Sequence, residues 1–318
     1  MGADREVLIA PAAPPGSLGV DGTPAGCAAL WSHWPGSPEP PVELADDTAT
    51  GMALRAAADP DRWLAPWRTV VDDHADADGC LALAVCADPA TGRRHGALLR
   101  SAAECSDFSC WYGPAPLRLV LLVNRLLAGT GDDAARTAAA RRIAEDLDGL
   151  CRRALAGDAE LDRSVAAVEA CLERLHDPGA TRLRRHGPLL EIRWDGSDRG
   201  ADPFAAPALA DGMCAYALSA LAPGLPQLLV AEGGGRTRMW LDAPRHAWAR
   251  TVRRPAWTAP EPDALASALA VADPDGDWTT GPAARAAGFS CLAVATGAPA
   301  LVGTDAAAAL ATGIRPDA

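Results

Sequence analysis

The stretch Thr69-Val70-Val71-Asp72-Asp73-His74-Ala75-Asp76-Ala77-Asp78-Gly79-Cys80-Leu81-Ala82-Leu83-Ala84-Val85-Cys86 decides the fold. Thr69 to Val71 is a short β-branched run of the kind buried in a parallel sheet. An acidic turn follows, and from Cys80 the sequence is apolar without alternation, which suits a buried helix. Strand, acidic turn and helix together are how α/β proteins present ligands at a strand's carboxyl end. In His74-x-Asp76-x-Asp78-Gly79 the alternating side chains can converge from an extended turn, and Gly79 permits close backbone approach where the helix begins. Hard carboxylates with one imidazole suit Mn²⁺ or Mg²⁺, and less exclusively Fe²⁺ or Zn²⁺. The plainer reading is a solvated acidic turn in which Asp78 caps the helix.

Working outward, Val7 to Ala10 reads as an edge strand and Gly26 to Trp31 as a second strand, followed by the proline-rich loop Ser32-His33-Trp34-Pro35-Gly36-Ser37-Pro38. Asp47-Thr48 can cap an alanine-rich helix over Ala49 to Ala58. Gly96 to Cys105 and Leu117 to Leu127 read as helices, and Asp132 to Ala156 and Asp158 to Leu175 as amphipathic helical stretches. Gly129-Thr130-Gly131-Asp132-Asp133-Ala134 has the form GxGxxA, but it follows a helix and puts acids where phosphate would bind, so it reads as an interhelical turn. Beyond Asp177-Pro178-Gly179, Leu189 to Trp194 is strand-like. Leu228 to Ala231 and Thr237 to Leu241 form a glycine-joined strand pair, and Asp263 to Val271 reads as a last helix. The expected architecture is therefore α/β, a mainly parallel sheet flanked by helices with a smaller α+β C-terminal part. The domains are residues 1–178, carrying the metal site, and 179–318, with Arg/Trp-rich strands.

At 318 residues and 49% hydrophobic the chain can bury a substantial core. A formal charge of -12 argues against a nucleic-acid polymer as partner and favours a small anionic, metal-bridged ligand. The sequence contains no lysine, so all 29 basic side chains are arginine, which removes Schiff-base catalysis and Walker-type phosphate binding. The nine cysteines are scattered without a CxxC pair and read as buried thiols. No apolar run reaches membrane-spanning length and no signal-peptide pattern opens the chain, so a cytoplasmic protein is expected. A homo-oligomer is left open.

Further ligands must come from elsewhere in the chain. His33 sits in a rigid Trp-Pro-Gly loop after a strand, where a histidine has little reason to be unless it contacts something. Asp47 opens a helix and can be a ligand or only a cap. Asp107 ends a helix, where its charge opposes the dipole. Arg245, His246, Arg253 and Arg254 lie in a basic, aromatic stretch; it can clamp an anionic substrate or simply stack arginines on indoles.

His74-Ala-Asp76-Ala-Asp78-Gly79 resembles motif I of the DHH phosphoesterase superfamily, in which HxDxDG supplies ligands to a pair of Mn²⁺ ions; no Asp-His-His triplet follows here. A longer pattern resembles a bacterial family of unknown function, found mainly in high-GC Gram-positive genomes. It comprises Ser32-His33-Trp34-Pro35-Gly36, Asp47-Thr48-Ala49-Thr50, His74-x-Asp76-x-Asp78-Gly79, Ser106-Asp107-Phe108 and Arg254-Pro255. Members more often carry Asn where this chain has Asp73 and Ser37. The resemblance implies that His33, Asp47, His74, Asp76, Asp78 and Asp107 form one dinuclear site with a bridging aspartate.

The leading functional expectation is a metal-dependent hydrolase, a phosphoesterase for a small phosphorylated or nucleotide-like compound. Mn²⁺ is its expected ion, and Asp73 or His33 is its expected proton shuttle. The alternatives are a mononuclear Fe²⁺ biosynthetic enzyme with His33, His74 and one aspartate as ligands, and a non-catalytic binding protein.

Overall fold

The computed structural model describes residues 5–195, 215–221, 224–225, 227–233, 236–242, 249–254, 277–279 and 291–297. The chain divides into two compact units, Met1–Val165 with Ala249–Arg254, and Ala166–Trp248 with Pro255–Ala318. The division falls earlier than the break expected at 178, and a short later segment returns to the first unit.

The first unit is built on a four-stranded parallel sheet of β1 (Glu6–Ile9), β2 (Leu18–Val20), β3 (Ala29–Trp31) and β4 (Thr69–Asp72), in the order β1-β4-β2-β3. β4 is inserted between β1 and β2, so Ile9 lies beside Asp72 and Gly19 beside Val71. The carboxyl ends of the two central strands, β4 and β2, thus adjoin, and such ends are where open parallel sheets bind ligands. β2 was not expected from the sequence: three residues, Leu18-Gly19-Val20, are too short to show a period, yet all are buried.

Helices α1 (Ala49–Ala58), α2 (Pro60–Trp63), α3 (Ala77–Ala87), α4 (Pro89–Arg94), α5 (Gly96–Phe108), α6 (Pro114–Leu127), α7 (Asp133–Glu145) and α8 (Leu147–Ala156) belong to this unit, and α9 (Asp162–His176) follows. α3 is apolar on every face and buried from Ala77 to Cys86, because α1, α5, α7 and the sheet all pack on it. The stretch expected as one helix from Asp132 to Ala156 breaks at Asp146. The GxGxxA string is an interhelical turn, with the Asp132 carboxylate capping α7 through Ala135 N–H. Cys80, Cys86, Cys105, Cys110, Cys151 and Cys171 are buried thiols.

The second unit holds a six-stranded mixed sheet of β5 (Thr181–His186), β6 (Leu189–Asp195), β7 (Gln227–Gly233), β8 (Arg236–Asp242), β9 (Asp277–Thr279) and β10 (Cys291–Gly297), with α10 at Ala215–Leu221. Its order is β5-β6-β7-β8-β10-β9; β6 and β7 are parallel and the other neighbours antiparallel. The glycine-joined pair is the antiparallel β7–β8 pair. The α/β class is as expected. The helix read at Asp263 to Val271 lies outside the described residues. Among the described residues, no helix is long and apolar enough to cross a membrane.

Candidate metal centre

Three strand ends build the site. After β2, Asp21 sits in the left-handed region at φ 60°, while its N–H still donates to the Trp31 carbonyl at 2.9 Å. A non-glycine residue pays roughly 1–3 kcal/mol for such a conformation, which is tolerated where the side chain must be aimed. His33 follows β3, and Asp72 ends β4 and leads into Asp73, His74 and Asp76. Asp76 also caps α3, accepting from Gly79 N–H at 2.8 Å. Asp78 lies in the first turn of α3 and Asp107 in the last turn of α5.

The two oxygens of Asp21 face different histidines. Oδ1 is 3.2 Å from His33 Nε2, and Oδ2 is 3.3 Å from His74 Nε2. His74 Nε2 is also 3.3 Å from Asp76 Oδ2, and His33 Nε2 is 3.6 Å from Asp107 Oδ2. Two ligand groups result, Asp21–His74–Asp76 and Asp21–His33–Asp78, the atoms of each lying within 4.8 Å of one another. Asp21 is common to both. A third group of the same dimensions, Asp72–Asp73–His74, adjoins them.

Both imidazoles turn Nδ1 away from Asp21. His33 Nδ1 lies 2.7 Å from the Asp47 carbonyl, which can only accept, so Nδ1 carries the proton. His74 Nδ1 lies 2.9 Å from Asp73 Oδ1, and Asp73 is itself fixed by Thr23 N–H at 2.7 Å. Such outward hydrogen bonds orient metal-binding histidines and leave Nε2 for the ion. Asp72 Oδ1 accepts from Gly22 N–H at 3.1 Å and Asp73 N–H at 2.7 Å.

The electrostatics show a shortage of positive charge. Burial, reinforced by Asp21 and Asp76, pushes the Asp72 carboxyl up to about 8 and that of Asp78 up to about 6. Burial and the charges of Asp78, Asp76 and Asp21 hold Asp107 well above the usual carboxylate range. Against its own burial, His33 is raised to about 9 by its hydrogen bond with Asp21 and the charges of Asp21 and Asp78. His74 is raised in the same way by Asp21, Asp72 and Asp76. Asp21, hydrogen-bonded to both imidazoles, is instead held below the ordinary carboxylate range despite its burial, so the cluster concentrates mutually opposed charges of the kind a bound cation would balance. Among the described residues, buried Asp21 Oδ1, Asp72 Oδ2, His74 Nε2 and Asp107 Oδ2 have no hydrogen-bond partner. Oxygen-rich donors with two imidazoles and orphaned buried atoms fit a hard or borderline divalent ion.

Arginines serve a different set of acids. Asp46, fully buried, pairs with Arg55 at 2.8 Å, Arg100 at 2.5 Å and Arg253 at 3.1 Å, while Arg253 and Arg254 both pair with Glu104. Asp47, expected among the metal ligands, is committed here as well. Its Oδ1 accepts from Val252 N–H at 2.6 Å and Arg253 N–H at 2.9 Å, and its Oδ2 from Arg254 Nη1. Arg253 and Arg254, expected to clamp substrate, are thus hydrogen-bonded to the protein's own carboxylates. Asp73 belongs to the third group, at His74 Nδ1, and to neither of the two groups built on Asp21. Arg245 and His246 lie outside the described residues.

Of the expected ligands, His33, His74, Asp76, Asp78 and Asp107 are brought together. Asp21 and Asp72 were missed as ligand candidates. The signal for Asp21 was Val20-Asp21-Gly22, an acid and glycine closing an apolar run; Asp72 was hidden by standing next to Asp73 and His74. No curated protein and no solved structure matches the chain. The model of a family of unknown function, DUF6687, matches residues 10–289, a span that contains every residue of this cluster, and the chain belongs to that family.

Proposed function

We propose that this protein is a divalent-metal-dependent hydrolase, a phosphoesterase for a small phosphorylated or nucleotide-like compound, with Mn²⁺ as its preferred ion. The observation that carries this reading is Asp21, whose two oxygens point at His33 and His74 from between them. A carboxylate so placed would be shared by two ions, with His74 and Asp76 as further donors to one, His33 and Asp78 to the other, and Asp72 and Asp107 close by. Such a pair would supply a water of lowered pKa and neutralise charge on a transferring phosphoryl group.

In phosphoester hydrolysis a water oxygen bonds to phosphorus as the ester P–O bond breaks, and a proton from that water ends on the departing alkoxide. The chain's task is to fix the donors before substrate arrives. Buried Asp72 and Asp78, with the Asp107 side chain only 5% exposed, wall off the inner side of the donor set, while the Asp73–His74 hydrogen bond offers a proton path outward. Trp34, 40% exposed, lies edge-on to His74 at 5.6 Å.

Elemental analysis after Mn²⁺ loading tests the reading, together with hydrolysis of a panel of phosphomonoesters and phosphodiesters. About two equivalents per chain are expected, with activity abolished by Asp21→Asn. Less than one equivalent would overturn it. The mononuclear Fe²⁺ alternative draws less support, because the two imidazoles fall in separate donor groups that share only Asp21.

A further inference from the structure

We infer that the segment Ala249–Arg254 is a positioning strap for one half of the metal centre, the half built on His33 and Asp107. The inference rests on the dinuclear reading above and assigns that site an organiser. Arg250 N–H donates to the His33 carbonyl at 2.8 Å. Its guanidinium donates to the carbonyls of Ser32 at 2.7 Å, Ser37 at 2.9 Å and Pro38 at 3.1 Å, gathering the loop that carries His33.

The next residues of the strap act on the same histidine from its other side. Val252 and Arg253 N–H groups hold the Asp47 carboxylate, and the Asp47 carbonyl in turn receives His33 Nδ1. Arg254 then reaches α5, pairing with Glu104 and lying 4.7 Å above the Phe108 ring, next to Asp107. The strap therefore fixes His33 through its carbonyl, through Nδ1 and through its loop, and it fixes the turn of α5 that bears Asp107. His74 and Asp76 have their own supports, Asp73 and the α3 cap, which are independent of the strap.

The consequence is asymmetric. Loosening the strap weakens the subsite of His33, Asp78 and Asp107 and spares that of His74 and Asp76. Partners that orient metal ligands typically contribute roughly 10- to 100-fold in affinity. The test is Mn²⁺ titration of the full-length chain by calorimetry and electron paramagnetic resonance, comparing wild type with Arg250→Ala. Wild type should take up two ions and give the spin-coupled signal of a Mn²⁺ pair. Arg250→Ala should bind one ion with unchanged affinity and a second at least tenfold more weakly, the coupled signal giving way to that of isolated Mn²⁺. If Arg250→Ala does not fold, Arg250→Lys supplies the same comparison, because it keeps the charge and the stem but loses the guanidinium fork that spans the Ser32, Ser37 and Pro38 carbonyls. Two wild-type affinities in the variant, or equal weakening of both, would overturn the strap's role. Failure of wild type to bind two ions would instead overturn the dinuclear reading, and the strap with it.

Discussion

An alanine at position 79 would place its Cβ 2.0 Å from Asp72 Oδ2 and 3.1 Å from Asp21 Oδ2, where no side-chain carbon can stay. The backbone of α3 approaches the two carboxylates this closely only because Gly79 has no side chain. Gly79→Ala is expected to cost about 1–3 kcal/mol and to weaken metal binding by displacing Asp72. Urea denaturation and Mn²⁺ titration check this; a variant as stable and as tight as wild type would refute the placement of Asp72. At this scale the sequence showed that His74, Asp76 and Asp78 share one turn, since their spacing alone puts them there. It concealed the roles of Asp47 and Asp21. Asp47 looks like any helix-opening acid, and only the arrival of Arg253 and Arg254 from more than two hundred residues away reveals what it binds. Asp21 acquires meaning only when His33 and His74 arrive from the neighbouring strands.

The helices show how one side chain can serve two elements. The N-terminus of α1 is capped by Thr48, whose hydroxyl accepts from Gly51 N–H at 3.0 Å, and by Asp78, which accepts from Ala49 N–H at 2.7 Å and Thr50 N–H at 2.9 Å. The plainer reading of the turn has Asp78 capping its own helix; Asp78 caps α1 instead, and Asp76 caps α3. Thr48→Ala is expected to lose about 1 kcal/mol, seen by chemical denaturation, with metal affinity unchanged. Asp78→Ala should lose about 1–3 kcal/mol, because it strips two buried N–H groups, and should lose metal as well. Separation of the two effects in Thr48→Ala and their union in Asp78→Ala would establish that Asp78 joins the α1 terminus to the cluster. Long periodic elements such as α1, α5 and α6 were legible because propensity, caps and period agree over many residues. β2 was not, because a three-residue strand is specified by its neighbours β4 and β3.

Across the first unit, buried acids fall into two populations, one paired with arginine and one gathered in the candidate metal cluster. Despite burial, Arg100 and Arg55 hold the Asp46 carboxyl below its ordinary value of 3.8, and Tyr112, Arg253 and Arg254 hold Glu104 below 4.5. Because these folded values are depressed, the unfolded chain binds more protons in this range, and stability rises with pH. The contribution is complete above about pH 4.5 and is lost as pH falls through the lowered folded values. Arg100→Ala should therefore be less stable than wild type at pH 6, and the difference should close as acid protonates Asp46. Urea denaturation of both proteins from pH 6 downward measures this; a gap that persists at the lowest pH would contradict it. What the sequence determined by itself is local: the strand-turn-helix around His74, the α/β class, the absence of lysine chemistry and most helices, all set by near-neighbour spacing and composition. What only the tertiary structure decided is partnership: β4 inserted beside β2, Asp21 set between two histidines, and Asp47 claimed by the strap. Those pairings join residues far apart in the chain, and their energies depend on burial and shared charge that no local stretch of sequence contains.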